Sequence, residues 1–112
     1  MADKNEIERE VMQLQNYERQ LQAVMLQKQQ IQMQLNEANL ALEELKKAKG
    51  SVYKAIGSVM IKTTKEDADK DLAERKNLME MRVKTLNSQE EKVKSELLRL
   101  QKKLKEELGQ NE

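Results

Sequence analysis

Asp67, Asp69 and Asp71 are the side chains in this sequence that come nearest to a chemical cluster. Carboxylates spaced this way could touch a divalent cation, which takes hard oxygen ligands. The same run also reads as the acidic first turns of a helix, where negative charge meets the positive end of the backbone dipole. Helix capping accounts for it without an ion. The 112 residues include no Cys and no His, so those nucleophiles, bases and metal ligands are missing, and no Gly-rich phosphate-binding loop occurs. The other carboxylates stand at helical-surface spacing beside basic neighbours. Neither an enzyme, a cofactor nor a bound metal is expected. What remains to act is apolar contact, and the elements that hold apolar side chains in place carry the functional question.

Those elements are helices. Pro, Trp and Phe are absent, Tyr17 and Tyr53 are the aromatic residues, and Gly is confined to positions 50, 57 and 109, a composition that suits long unbroken helices and offers no aromatic core. In the first arm, Ile7, Leu14, Leu21, Lys28, Leu35 and Leu42 recur at one heptad position, with Tyr17, Val24, Ile31, Ala38 and Leu45 three residues on. The second arm repeats the pattern with Leu72, Met79, Leu86, Val93 and Leu100, alternating with Lys76, Val83, Glu90, Leu97 and Leu104. Each stripe needs a partner to cover it. The arms, residues 5–49 and 65–108, have nearly equal lengths of roughly 65 Å as helices, which predicts a long antiparallel coiled-coil hairpin. If the chain folds back near residue 58, facing positions have numbers summing to about 118. Lys28 then lies opposite Glu90, a pair of opposite charge that could set register inside an apolar seam; both side chains could instead reach out to water.

Between the arms, residues 50–64 break the heptad. Val52, Tyr53, Ile56, Val59, Met60 and Ile61 are β-formers around Gly57-Ser58, which predicts two short strands and a tight turn. Gly50 suits the end of the first helix and Thr64 with Asp67 the start of the second. A lone two-stranded ribbon is marginal, and its open edges invite strands from other chains. The hairpin is therefore expected to be an oligomerisation element; the alternative is a hairpin that simply caps its own coiled coil.

The stretch Val52-Tyr53-Lys54-Ala55-Ile56-Gly57-Ser58-Val59-Met60-Ile61-Lys62, together with Leu78 to Leu86 and Gln89 to Lys92, resembles the β-class subunit of prefoldin, in its archaeal type. Heptads alone recur widely, but their arrangement around this hairpin is specific. The resemblance covers nearly the whole chain and implies one unit, residues 1–112, built mainly of α-helix, whose hairpin joins an oligomeric β-barrel platform. It implies a heterohexamer of two α-class and four β-class subunits, including further copies of this chain. It further implies an ATP-independent holdase that captures unfolded polypeptides and passes them to a group II chaperonin. The regions Ile7 to Leu14 and Leu97 to Leu108 would form the distal tip.

Two candidate contact surfaces follow from the residues themselves. Near the ends of the arms, Ile7, Val11, Met12 and Leu14 would lie close to Leu97, Leu98, Leu104 and Leu108, and fraying there could expose seam residues to a client. Along the first arm, Met12, Leu26, Met33 and Leu40 fall opposite the seam with Met25 beside them, while Gln13, Gln20, Gln27 and Gln34 flank it. Flexible thioethers and uncharged amides suit an indiscriminate binder; the same residues could also be ordinary surface. The alternative function is a structural spacer or adaptor with one defined partner. Lys plus Arg total 21 against 20 Asp plus Glu, with the signs interspersed, so no basic face predicts nucleic-acid binding. The lack of a long apolar run predicts neither a membrane span nor a secretory leader, and a cytoplasmic location is expected.

Overall fold

Asp3 opens the first helix in the computed structural model, which describes residues 3–110. Its Oδ1 accepts the Glu6 N–H at 2.8 Å and its carbonyl accepts the Ile7 N–H at 3.1 Å, satisfying donors that a helix start leaves unpaired. Helix α1 then spans Lys4–Lys47. It ends before the expected boundary at Lys49, and Gly50 does not close it. Gly57 is the one residue with positive φ among those described, so no left-handed glycine turn forms at position 50. Lys65, from the start of the next helix, does the closing: its Nζ donates to the carbonyls of Lys46 at 3.0 Å and Ala48 at 3.5 Å. An ammonium there meets both the orphan acceptors and the negative end of the helix dipole.

Strands β1 (Val52–Ile56) and β2 (Val59–Thr63) pair antiparallel, with Val52 opposite Thr63 and Ile56 opposite Val59. Gly57 has φ 61° and Ser58 has no positive φ, the combination of a type II′ turn, whose twist matches that of the flanking strands. Helix α2 follows at once, Lys65–Gln110, passing the expected end at Leu108. The Asp67 N–H donates to Thr64 Oγ1 at 3.0 Å, so Thr64 caps α2 as its position suggests. The expected architecture, long helices flanking one central β-hairpin, is the observed one. Positions 1, 2, 111 and 112 of the expected unit lie outside the described residues.

The chain divides into two compact parts: residues up to Lys28 with those from Thr85 onward, and Gln29–Lys84. In the first, Leu86 and Leu100 are each 2 % exposed and Leu104 is buried with them, while Ile7, Leu14, Tyr17, Leu21, Val24, Val93 and Leu97 are half-buried. Tyr17 OH accepts a hydrogen bond from Gln13 Nε2 at 3.1 Å, which keeps the one seam hydroxyl paired. In the second part Ala38, Leu45 and Met79 are buried and Ile31, Leu35, Leu42 and Leu72 half-buried. Every apolar heptad residue named above is thus at least partly covered, and each large side chain removed fully from water contributes about 1.5–3 kcal/mol.

Replacing Gly57 by Ala is expected to destabilise the hairpin by about 1–2 kcal/mol, the penalty of a left-handed conformation for a residue with a Cβ. Hydrogen exchange should quicken in β1 and β2 with the helical circular-dichroism signal unchanged; unaltered strand protection would count against the assigned turn.

Candidate functional site

Strand periodicity puts Val52, Lys54, Ile56, Val59, Ile61 and Thr63 on one face of the hairpin and Tyr53, Ala55, Met60 and Lys62 on the other. Tyr53, Ile56, Val59, Met60 and Ile61 are all exposed, and Val52 is half-buried. Both faces therefore carry uncovered apolar side chains, a condition that a ribbon serving only as a turn has no reason to meet. β1 is tied to α2 by Lys54 Nζ, 3.7 Å from Asp71 Oδ2, an exposed pair that orients more than it stabilises. Beside it, Tyr53, Ala55 and Ile56 of β1 line a groove of about 620 Å³ with Ala41 of α1 and Ala68, Leu72 and Leu78 of α2. The heptad pattern of α2 did not single out Leu78 or Met81, both exposed. They lie off the seam stripe on which the pattern was read, and their apolar type was the available signal.

In the part containing both ends of the described chain, the terminal turns of α1 and α2 lie together, with Lys103 Nζ 2.7 Å from Glu10 Oε1. Met12 is 67 % exposed, Leu98 64 % and Leu108 53 %, and Val11 is also open to solvent. Ile7, Leu14 and Leu97 are half-buried, and Leu104, at 6 %, is covered. The residues singled out near the ends thus divide into an accessible group and a group engaged in the seam. Met25 and Leu26 are exposed in this part, and Met33 and Leu40 in the other. Between Met12 and Leu40, the heptad position shared by Met12, Leu26, Met33 and Leu40 carries one charged residue, Arg19, while Met25 occupies the adjacent position.

Lys28 Nζ stands 3.0 Å from Glu90 Oε2, with the two side chains 27 % and 13 % exposed. Lys94, one turn along α2, reaches the other carboxylate oxygen at 2.9 Å. These contacts hold the Glu90 carboxyl below the usual carboxylate range, through the hydrogen bond from Lys94 first and that from Lys28 second. A further polar site in the seam was not singled out from the sequence. Glu10 precedes Tyr17 by one heptad and Glu107 follows Leu100 by one, so extending the two repeats outward by one step would have found both. Asp67, Asp69 and Asp71 are exposed at the start of α2, and no cluster fit to hold a metal ion occurs among the described residues. No described helix is long and apolar enough to cross a membrane.

Residues 8–111 match the family model described as "Prefoldin subunit". The fold is similar to the crystal structure of the prefoldin β subunit from Thermococcus strain KS-1, with a TM-score of 0.85, 35 % identity and 92 % of each chain covered. Prefoldin subunit β of Methanocella arvoryzae is 43 % identical over 51 residues, which span 46 % of this chain and 40 % of that protein.

Replacing Glu90 alone by Leu should lower the melting temperature more than replacing Lys28 and Glu90 together, since the single change strands an ammonium in the seam. The carboxylate's contribution is present above the ordinary carboxylate range and lost as pH falls through its depressed pKa. Glu90→Gln is expected to flatten that acid limb in melts taken across pH, and equal limbs in the two proteins would refute the coupling.

Proposed function

Because the chain belongs to the prefoldin family, in its β class, we propose that it is a holdase subunit whose paired helix ends grip unfolded polypeptides. Prefoldins are molecular chaperones without catalytic activity. The observation that carries the reading is the exposure of Met12, Leu98 and Leu108 where the terminal turns of the two helices meet. Ile7, Val11 and Leu14 on α1 and Leu97 on α2 add apolar area beside them, and Leu104 joins when the last turns fray. Each large side chain that a client buries contributes about 1.5–3 kcal/mol. A single tip is weak, but several tips acting on one client multiply their grip through effective concentration. Such contacts need no ATP. They let go one at a time, which suits transfer of the client to a group II chaperonin in the cytoplasm.

The second half of the proposal concerns the hairpin. Apolar side chains exposed on both of its faces support its use as a piece of a larger sheet, with Val52, Tyr53, Ile56, Val59, Met60 and Ile61 at contacts between subunits and Gly57 holding the turn. Partners of the same family, two of the α class and four of the β class including further copies of this chain, would pair its open edges into a barrel platform. Within that assembly residues 5–49, 50–64 and 65–108 act as one unit of arm, platform element and arm. The pair Lys28–Glu90 sets the register of the arm. Met25, Leu26, Met33 and Leu40 offer a secondary contact surface for long clients, adaptable because thioether and alkyl side chains repack readily.

A chemically unfolded model protein diluted without ATP should scatter less light when this chain, assembled with an α-class partner, is present. Removing residues 1–11 and 103–112 should abolish the protection. The milder Met12→Ser, Leu98→Ser, Leu108→Ser combination is expected to weaken it several-fold while shifting stability within about 0.5 kcal/mol per site, as surface substitutions do. An intact assembly that gives no protection would instead favour the spacer or adaptor role.

A further inference from the structure

Lys103 meets two carboxylates at once: its Nζ is 2.7 Å from Glu10 Oε1 and 3.9 Å from Glu107 Oε1. The Glu10 and Glu107 side chains are only 13 % and 17 % exposed. The second oxygen of each, Oε2, is buried and has no hydrogen-bond partner. An orphan acceptor out of reach of water is costly, and two of them in one cluster are satisfied together if a proton lies between them. One ammonium also cannot neutralise two carboxylates. Among the described residues the other charges around the cluster are Glu6 and Arg9 from α1 and Arg99 from α2, and Arg99 is engaged by Glu96 at 2.9 Å. Glu6 adds to the repulsion. Leu104, the last buried apolar residue of α2, lies within one turn of Glu107.

We propose that Glu10 and Glu107 share a single proton across the seam, and that its loss to solvent loosens the terminal turns of the two helices and uncovers Leu104. The shared proton turns a repulsive carboxylate pair into a hydrogen bond; without it, two anions face each other around one ammonium. The titration directions agree with this. Glu10 is held below the usual carboxylate range, by the hydrogen bond from Lys103 first and by the one that a protonated Glu107 donates second. Glu107 is pushed up, by its hydrogen bond to Glu10 first and by desolvation second. Such opposite shifts belong to the pair as a unit. Closure contributed by Glu107 is present at low pH and lost as pH rises through its raised pKa. Closure contributed by Glu10 is present above the ordinary range and lost as pH falls through its depressed pKa. The ends are therefore tightest when the pair holds one proton, and they open as pH rises. For the consequence on clients the proposal rests on the holdase reading: more apolar surface becomes available once the proton leaves.

The chain has no Cys, so nitroxides can be placed on Glu8→Cys and Lys105→Cys, both exposed positions, in the full chain within its assembly. The expected distance distribution is narrow in mild acid and shifts to longer, broader values as pH rises. In Glu107→Gln, whose neutral amide can donate to Glu10 at any pH, it should stay narrow throughout, with circular dichroism verifying that the helices are intact. Identical pH responses in the two proteins would overturn the proposal. Aggregation suppression measured over the same pH range separates the two readings. Suppression that rises with the distance shift supports both. A distance shift in an assembly that suppresses nothing leaves the proton pair standing and removes the holdase reading.

Discussion

A helix in an antiparallel pair can bury one stripe of its surface and no more, and this chain has no other place to put apolar groups. With two Tyr and no Phe or Trp, there is no bulky cluster to add to the stripe. Its stability depends on a row of Leu, Ile, Val and Met covered on one side only, several of them half-buried. Under that constraint a charged residue in the row matters more than it would on a globular surface. Lys28 is met by Glu90, and Lys94 engages the remaining oxygen of the same carboxylate. A slip by one heptad would leave each of those charges against an apolar partner, which is the physical ground for the register role proposed for the pair.

The junction shows the same economy of means. Lys65 closes α1 through its carbonyls, Thr64 caps α2 through its hydroxyl, and Gly57 supplies the one left-handed backbone conformation among the described residues. Four residues separate Lys47 from Val52 and one separates Thr63 from Lys65, so the strands are held between fixed helix ends. What the junction does not do is cover the strands. Their exposed Val, Ile, Met and Tyr side chains and their open edges leave favourable burial unrealised within the chain, which the proposed association with further strands would realise.

Much of this was legible in the sequence. Heptad spacing located the covered residues of both helices, because a one-sided apolar stripe is a periodic signal. The β-branched run around Gly57-Ser58 located the hairpin within residues 50–64, where both strands form. Helix ends were less legible. Gly50 offered a familiar stop signal, yet the carbonyls were taken by Lys65, a side chain distant in sequence that no local rule brings into view. The Asp3 cap was legible but lay two residues before the expected start. The terminal acidic cluster went unseen because a search for apolar repeats stops where the repeat turns polar, and Glu10 and Glu107 sit where Tyr17 and Leu100 would next recur.

That last position is informative in physical terms. Two Leu residues at 10 and 107 would continue the stripe and seal the ends of the helices, giving a stronger pair with less surface to offer. Two Lys or two unpaired Glu would force the ends apart and expose the seam permanently, at the risk of self-association. A carboxylate pair around one ammonium lies between these extremes. It closes the ends well enough to keep Leu104 covered, while its closure depends on one proton and one cation and not on a continuous apolar contact. If the ends grip unfolded chains as proposed, such a balance would suit them, because the difference between closed and open would be small enough for a client's own apolar side chains to decide it.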